Sequence, residues 1–136
     1  MYKFNKKRSG CPISRSLDIW GDKWSLLIIR NLMFYNMNTY GEFLKMPENI
    51  ATNILADRLV SLEKAGLISK GEHPESKAKT FYTLTPMGID LLPVLMEISI
   101  WGDKYFEVPK KSKEMIKHAF KNKKELIKSL SALAGK

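Results

Sequence analysis

The 136-residue sequence predicts a mainly α-helical domain completed by a small β-hairpin, an α+β arrangement. Three observations predict it. Apolar residues recur at helical spacing through Trp24, Leu27, Ile28 and Leu32, and again through Leu55, Leu59 and Leu62. The period then switches to strand formers over Leu67 to His73 and Thr80 to Leu84, with the polar PESKAK between them as a hairpin tip. Helical spacing finally returns through Leu91, Leu95, Ile98 and Trp101. The length suits one domain with a sizeable core.

Each element has its own punctuation. A first short helix is expected from Pro12 to Ile19, with proline where its missing donor costs nothing, and Trp20-Gly21-Asp22 breaks it. Asp22 caps the next helix, which runs to about Phe34. Asn36 to Asn38 make a turn. Thr39 and Glu42 then stand at capping-box spacing and start a brief third helix that ends before Pro47, with Phe43 and Leu44 inward. Met46 to Ile50 connect to a fourth helix from Ala51 to Lys64, stopped by Gly66. After the hairpin, Thr85-Pro86 opens a long helix that Pro93 should kink.

That order is the order of a winged helix-turn-helix domain. In such a fold the second helix of the motif presents its outer face to the major groove. Ala51, Leu55, Leu59 and Leu62 fall in one arc, so Asn53, Ala56, Asp57 and Val60 point away. Asparagine can pair with adenine, a carboxylate with cytosine, and alanine can touch a thymine methyl. Asp57 also repels phosphate, so orienting Arg58 or Asn53, or simple solvation, stands as its alternative role. The DNA-binding candidates are Thr39, Tyr40, Thr52, Asn53, Ala56, Asp57 and Arg58, with Lys70, Lys77 and Lys79 on the wing. An exposed hairpin needs polar residues in any case.

Charge constrains where attraction to DNA can arise. The formal charge is +9, of which residues 1–9 carry +4 through Lys3, Lys6, Lys7 and Arg8, and residues 110–136 carry +7, so residues 10–109 carry −2. A basic arm (1–10), a slightly acidic body (11–108) and a basic amphipathic C-terminal helix (109–136) are thus expected. No apolar run approaches bilayer length, Leu26 to Ile29 being typical, and the start MYKFNKKRSG lacks an apolar signal core; a cytoplasmic location is expected. The basic, polar residues before Gly10-Cys11 exclude a lipoprotein cleavage site.

Several stretches together resemble the HxlR-type bacterial winged-helix transcription regulators, relatives of the MarR group. CPISRSLDIWGDKWSLLIIRNL is similar to the family's opening, IATNILADRLVSLEKAGLI to its recognition helix and exit, and KTFYTLTPMGIDLLPVL to its second wing strand and following helix. The resemblance covers roughly Cys11 to Tyr105. It implies a DNA-binding regulator of transcription, and a twofold dimer built from the first helix and the long helix, through Ile13, Leu17, Trp20, Leu95, Ile98 and Trp101. Two departures stand out: Ala51 replaces the usual serine or threonine cap, and the wing carries lysines with Glu72 and Glu75 between them where relatives carry more arginine.

Cys11 is the only cysteine, which excludes an intrachain disulfide and paired-cysteine metal sites. At a helix start, with Arg8 and Arg15 near in sequence, its thiolate is favoured. The resemblance implies sensing of a small oxidant or electrophile by linkage to a partner's cysteine or a small thiol; an inert, half-buried cysteine is the alternative. WGDK recurs at 20–23 and 101–104, but the flanks RSLD and MEIS differ, so these read as two helix-end punctuations. Packing at an interface is a better account of the tryptophans than cofactor stacking, and no cofactor is expected. In the tail, Ser112 is expected to cap a helix with a stripe of Ile116, Phe120, Ile127 and Leu130, interrupted at Lys123 and Lys124. Docking on the dimer, phosphate contact and membrane binding are its three readings, in that order. With only His73 and His118 and no nucleophile motif, an enzyme is not expected. The rival function is a winged-helix protein-interaction module without sequence-specific DNA binding.

Overall fold

The computed structural model describes residues 8–134. Lys3, Lys6 and Lys7 of the expected basic arm therefore lie outside the described residues. Helix α1 (Pro12–Trp20) leads into a turn whose Asp22 carboxylate organises α2 (Ser25–Phe34). Its Oδ2 accepts from the backbone N–H groups of Trp24 and Ser25, each at 3.0 Å, and its Oδ1 from the Ser25 hydroxyl at 2.6 Å. The cap position itself is Trp24, without a side-chain bond, so Asp22 does not cap α2 as expected but organises the turn leading into it from two residues before that position.

Helix α3 (Tyr40–Phe43) opens with the complete capping box: the Glu42 N–H donates to the Thr39 hydroxyl and the Thr39 N–H to the Glu42 carboxylate. Helix α4 (Thr52–Lys64) begins one residue after the expected start, because Ala51 is its extended cap residue and has no side-chain acceptor to offer. It ends where Gly66, at φ +84°, takes the left-handed turn that lets the Leu67 N–H reach the Leu62 carbonyl.

Strands β1 (Ile68–His73) and β2 (Ser76–Leu84) pair antiparallel from Ile68 opposite Leu84 to Glu72 opposite Thr80, with a bulge between Glu72 and His73. The expected six-residue tip is too long. Only Pro74 and Glu75 turn: Ser76 already pairs with His73, and Lys77 to Lys79 run on in the strand as the extra residues that the bulge opposite Glu72-His73 takes up. At the other end Thr85 caps α5 (Pro86–Ile89), whose Gly88 lies against the Leu67 carbonyl so closely that a Cβ would collide with it.

The expected kinked helix is two helices. Pro93 has no N–H and its ring clashes with the carbonyl four residues back, so the chain turns at Asp90-Leu91 and restarts as α6 (Leu92–Tyr105) with the proline in its first turn. The tail is likewise split, into α7 (Lys110–Lys121) and α8 (Lys123–Ala134), and Pro109 rather than Ser112 precedes it. A continuous helix would bury Lys123 between Ala119 and Leu126. A break at Asn122, whose side-chain amide donates to the His118 carbonyl at 3.0 Å, lets both apolar stripes face inward.

The core gathers Ile28, Ile29 and Leu32 of α2, Phe43 of α3, Leu55, Leu59 and Leu62 of α4, Leu67, Ile68 and Leu84 at the wing root, and Leu92 and Leu95 of α6. Leu130 of α8 belongs to the same cluster, with Leu126 and Ile127 against it. The C-terminal helices are therefore part of the body: α7 lies on α6, and α8 on β2 and α5 of the same chain. No helix among the described residues is long and apolar enough to cross a membrane.

Candidate nucleic-acid interface

Burial divides α4 along its length. Leu55, Leu59 and Leu62 are at most 3% exposed, whereas Thr52, Asn53, Ala56, Asp57 and Val60 are open to solvent. The three leucines follow the division expected from the 100° spacing, whereas Ala51, expected on the same arc, is exposed as the extended cap residue ahead of the helix. The outer side is a shallow face of small and polar side chains. Ala51 provides no side-chain cap, so the N–H groups of the first turn keep no side-chain partner. The Tyr40 hydroxyl donates to the Thr52 carbonyl at 3.0 Å and ties α3 to that first turn.

Two candidate contacts are committed elsewhere. Arg58 bonds Asp57 at 2.6 Å and lies 3.4 Å from Asp22, with 26% of its side chain exposed. It clamps α4 to the turn that follows α1, and Asp57 orients it. The hydrogen bond that Arg58 donates to Asp57, together with the charges of Asp22 and Asp57, outweighs burial and raises the guanidinium's already high pKa. Thr39 is similarly engaged: its hydroxyl donates to Glu42 at 2.9 Å and accepts from the Glu42 N–H. Both residues position the helices.

Asp22 and Glu42 are opposed by burial, which raises a carboxyl's pKa. For Asp22 the bonds from Ser25 and Trp24 and the charge of Arg58 prevail, and its pKa is lowered. For Glu42 the bonds from Asn38 and Thr39 prevail, with the same result. The loops feeding the interface are thus held by ionised carboxylates.

Wing and third helix form a groove whose walls include Tyr40, Gly41, Lys45, Lys79, Thr80 and Tyr82. Lys45 was not among the expected contacts. Its signal was faint, a polar residue in the turn just after a helix of four residues. Asn38 was also missed: it is 5% exposed, its amide donates to the Tyr82 carbonyl, and the Tyr82 N–H donates back to its carbonyl, both at 2.7 Å. That reciprocal pair fixes the root of the wing beside α3. Lys77 and Lys79 are exposed on β2, while Lys70 sits 3.8 Å from Glu63.

The sequence pattern of the HxlR-like helix-turn-helix family matches residues 19–110. The chain belongs to this family. Among relatives of this HxlR-like chain, the HTH-type transcriptional regulator YdeP of Bacillus subtilis is 33% identical over 96 residues, 71% of this chain and 74% of YdeP. The crystal structure of PA1607 superposes with a TM-score of 0.67 at 40% identity, covering 76% of this chain and 70% of that one. The redox regulator HypR, in its oxidised form, superposes at 0.63 with 25% identity, covering 72% of this chain and all of HypR. The protein is therefore a transcriptional regulator of the helix-turn-helix type, with the winged fold of its relatives and the DNA binding that the family implies.

Away from the HxlR-like interface, Cys11 is exposed at the N-cap of α1. Arg8, which the sequence offered as a charge near it, is paired with Asp18 at 2.6 Å. Of the expected dimer residues, Ile13 is 72% exposed, Leu17 46%, Ile98 49% and Trp101 59%, with Trp20 half-buried. Leu95 departs from expectation: at 8% exposure it packs into its own chain's core.

Proposed function

We propose that the chain is a sequence-specific regulator working as a homodimer on an inverted-repeat duplex. In this reading α4 of each copy enters the major groove, and the wing lies on the adjoining backbone. The open outer face of α4 is the observation that carries it, since nothing among the described residues covers Asn53 and Ala56. Tyr40, Thr52, Asn53, Ala56 and Asp57 make the groove contacts, while Lys45, Lys70, Lys77 and Lys79 meet phosphates. Arg58 and Thr39 hold the helices in register. Ile13 and Leu17 on α1, and Ile98 and Trp101 on α6, at helical spacings, supply apolar surface for the twofold contact.

The test uses a duplex selected from a random library by the full-length protein. Asn53→Ala should weaken that duplex by about 1–3 kcal/mol and leave binding to a scrambled duplex unchanged. An unchanged affinity for the selected duplex would show that α4 does not read bases through this face.

Cys11 is the redox switch in this reading, supported by its exposure and by the likeness to HypR. An azo oxidant such as diamide takes two electrons and two protons from the Cys11 thiol and a second thiol, leaving one disulfide. The second thiol is Cys11 of the other copy or a small thiol. Diamide should change DNA affinity in the parent and not in Cys11→Ser; identical responses would remove Cys11 from the mechanism.

A further inference from the structure

The family pattern ends at residue 110, where the lysine-rich helices begin. Lys113, Lys117 and Lys121 follow one another at spacings of four along α7, and Lys124 and Lys128 do so along α8. All eight lysines from Lys110 to Lys128 are exposed, against only Glu114 and Glu125. Their single ion pair among the described residues joins Lys113 to Asp103 at 3.6 Å.

Two facts narrow what this surface can meet. First, most of the apolar side of the tail is already used: Ala119 and Leu130 are each 7% exposed, and Leu126 and Ile127 pack on the core, which leaves Phe120 as the exposed apolar side chain of the stripe. A basic helix that lies in a membrane needs that side free to enter the acyl chains. What remains outward is a charged face, which suits a charged partner. Second, residues 10–109 carry −2, and acidic side chains stand beside the reading surface itself, at Asp57, Glu63, Glu72 and Glu75. The winged body cannot by itself provide the long-range attraction to a polyanion that DNA association uses.

We propose that the lysine face of α7–α8 binds the phosphate backbone of duplex DNA flanking the operator, adding sequence-independent affinity to the few phosphate contacts that the wing and α3 lysines of the acidic body can make. Helix α8 lies against β2, the strand that carries Lys77 and Lys79, so the basic face is attached directly to the wing. This inference rests on the DNA-binding reading above.

The experiment compares the full-length parent with a variant carrying Lys117→Gln, Lys121→Gln, Lys124→Gln and Lys128→Gln, and with the matching four-arginine variant. Binding to the selected duplex, with and without about ten flanking base pairs on each side, is measured from roughly 50 to 200 mM salt. The glutamine variant should flatten the slope of log K against log salt by about 0.9 for each phosphate that its lysines no longer neutralise. It should lose the gain that flanking DNA brings and keep the preference for selected over scrambled sequence. The arginine variant should match the parent. If the parent binds the duplex and the glutamine variant, folded by circular dichroism, keeps the parent's slope and length dependence, the inference is overturned. A tail that instead drives binding to phosphatidylserine vesicles, with DNA binding unaltered, overturns it as well. A parent that binds no duplex at all sinks the earlier reading.

Discussion

Asp22 links three parts of the interface through one carboxylate. At the turn into α2 it accepts two backbone bonds and one side-chain bond, and it faces Arg58 of α4 at 3.4 Å. Burial opposes its ionisation, but these partners prevail and hold its pKa below the ordinary value. A carboxyl with a lowered folded pKa adds stability above its unfolded pKa, about 3.9, and that stability is lost as pH falls through the folded value. Asp22→Asn should therefore be less stable than the parent near neutrality and should converge with it as pH falls through the carboxyl's lowered pKa, as followed by thermal unfolding. Parallel curves across that range would mean that Asp22 is not ionised in the folded protein. The carboxylate's role at this turn was legible from its place two residues before the apolar stripe. Its hold on Arg58 was not, because 36 residues separate the two and only packing brings them together.

At the level of elements, α4 joins a well-determined inner face to a loosely tied start. The leucine spacing fixes which side is buried, and Gly66 fixes the end. The beginning depends on Ala51, whose extended backbone (φ −71°, ψ 147°) is that of a cap residue without the acceptor. Ala51→Ser places a hydroxyl within reach of the first-turn N–H groups, and should stabilise the protein by about 0.5–2 kcal/mol in chemical denaturation. No gain would mean that Tyr40, through its bond to the Thr52 carbonyl, already secures this turn. The wing was legible as a hairpin, yet its tip was placed too widely. PESKAK is polar throughout, and polarity does not separate a turn from an exposed strand when both face solvent. Pro93 was legible as a disruption, while whether it bends or breaks a helix depends on whether the neighbouring residues gain by turning inward. Leu91, Leu92 and Leu95 do, at 8%, 0% and 8% exposure.

On the scale of the molecule, the proposed dimer rests on the exposed apolar face of α6. Ile98, Trp101 and Tyr105 recur at spacings of three and four along α6, and all are exposed, while its other face meets α7. Trp101 also stacks against Tyr105 and Phe106, with ring centroids 5.1 and 5.7 Å apart, which makes a continuous aromatic surface. Ile98→Glu with Trp101→Glu should convert a dimer to a monomer in sedimentation velocity and weaken inverted-repeat DNA binding, while leaving the helical content intact. A variant that remains dimeric would move the interface elsewhere. The tail's place on its own protomer bears on this directly, because it leaves that aromatic face open and turns the lysines outward.

Local order was the sequence's own contribution. Helical and strand periods, capping pairs such as Thr39 with Glu42, and the single left-handed glycine at the end of α4 act over a few residues, so they can be read without coordinates. The same holds for the open face of α4 and the uneven distribution of charge. Tertiary structure alone decided which polar groups remain available to a partner. Arg58 and Thr39 are chemically suited to DNA yet are committed to Asp22, Asp57 and Glu42, and Leu95 is apolar yet turned inward. It also decided where the basic tail rests. The physical reason is common to these cases: a side chain's period gives its direction from its own helix, but its partner depends on which other elements the core brings within a few ångströms.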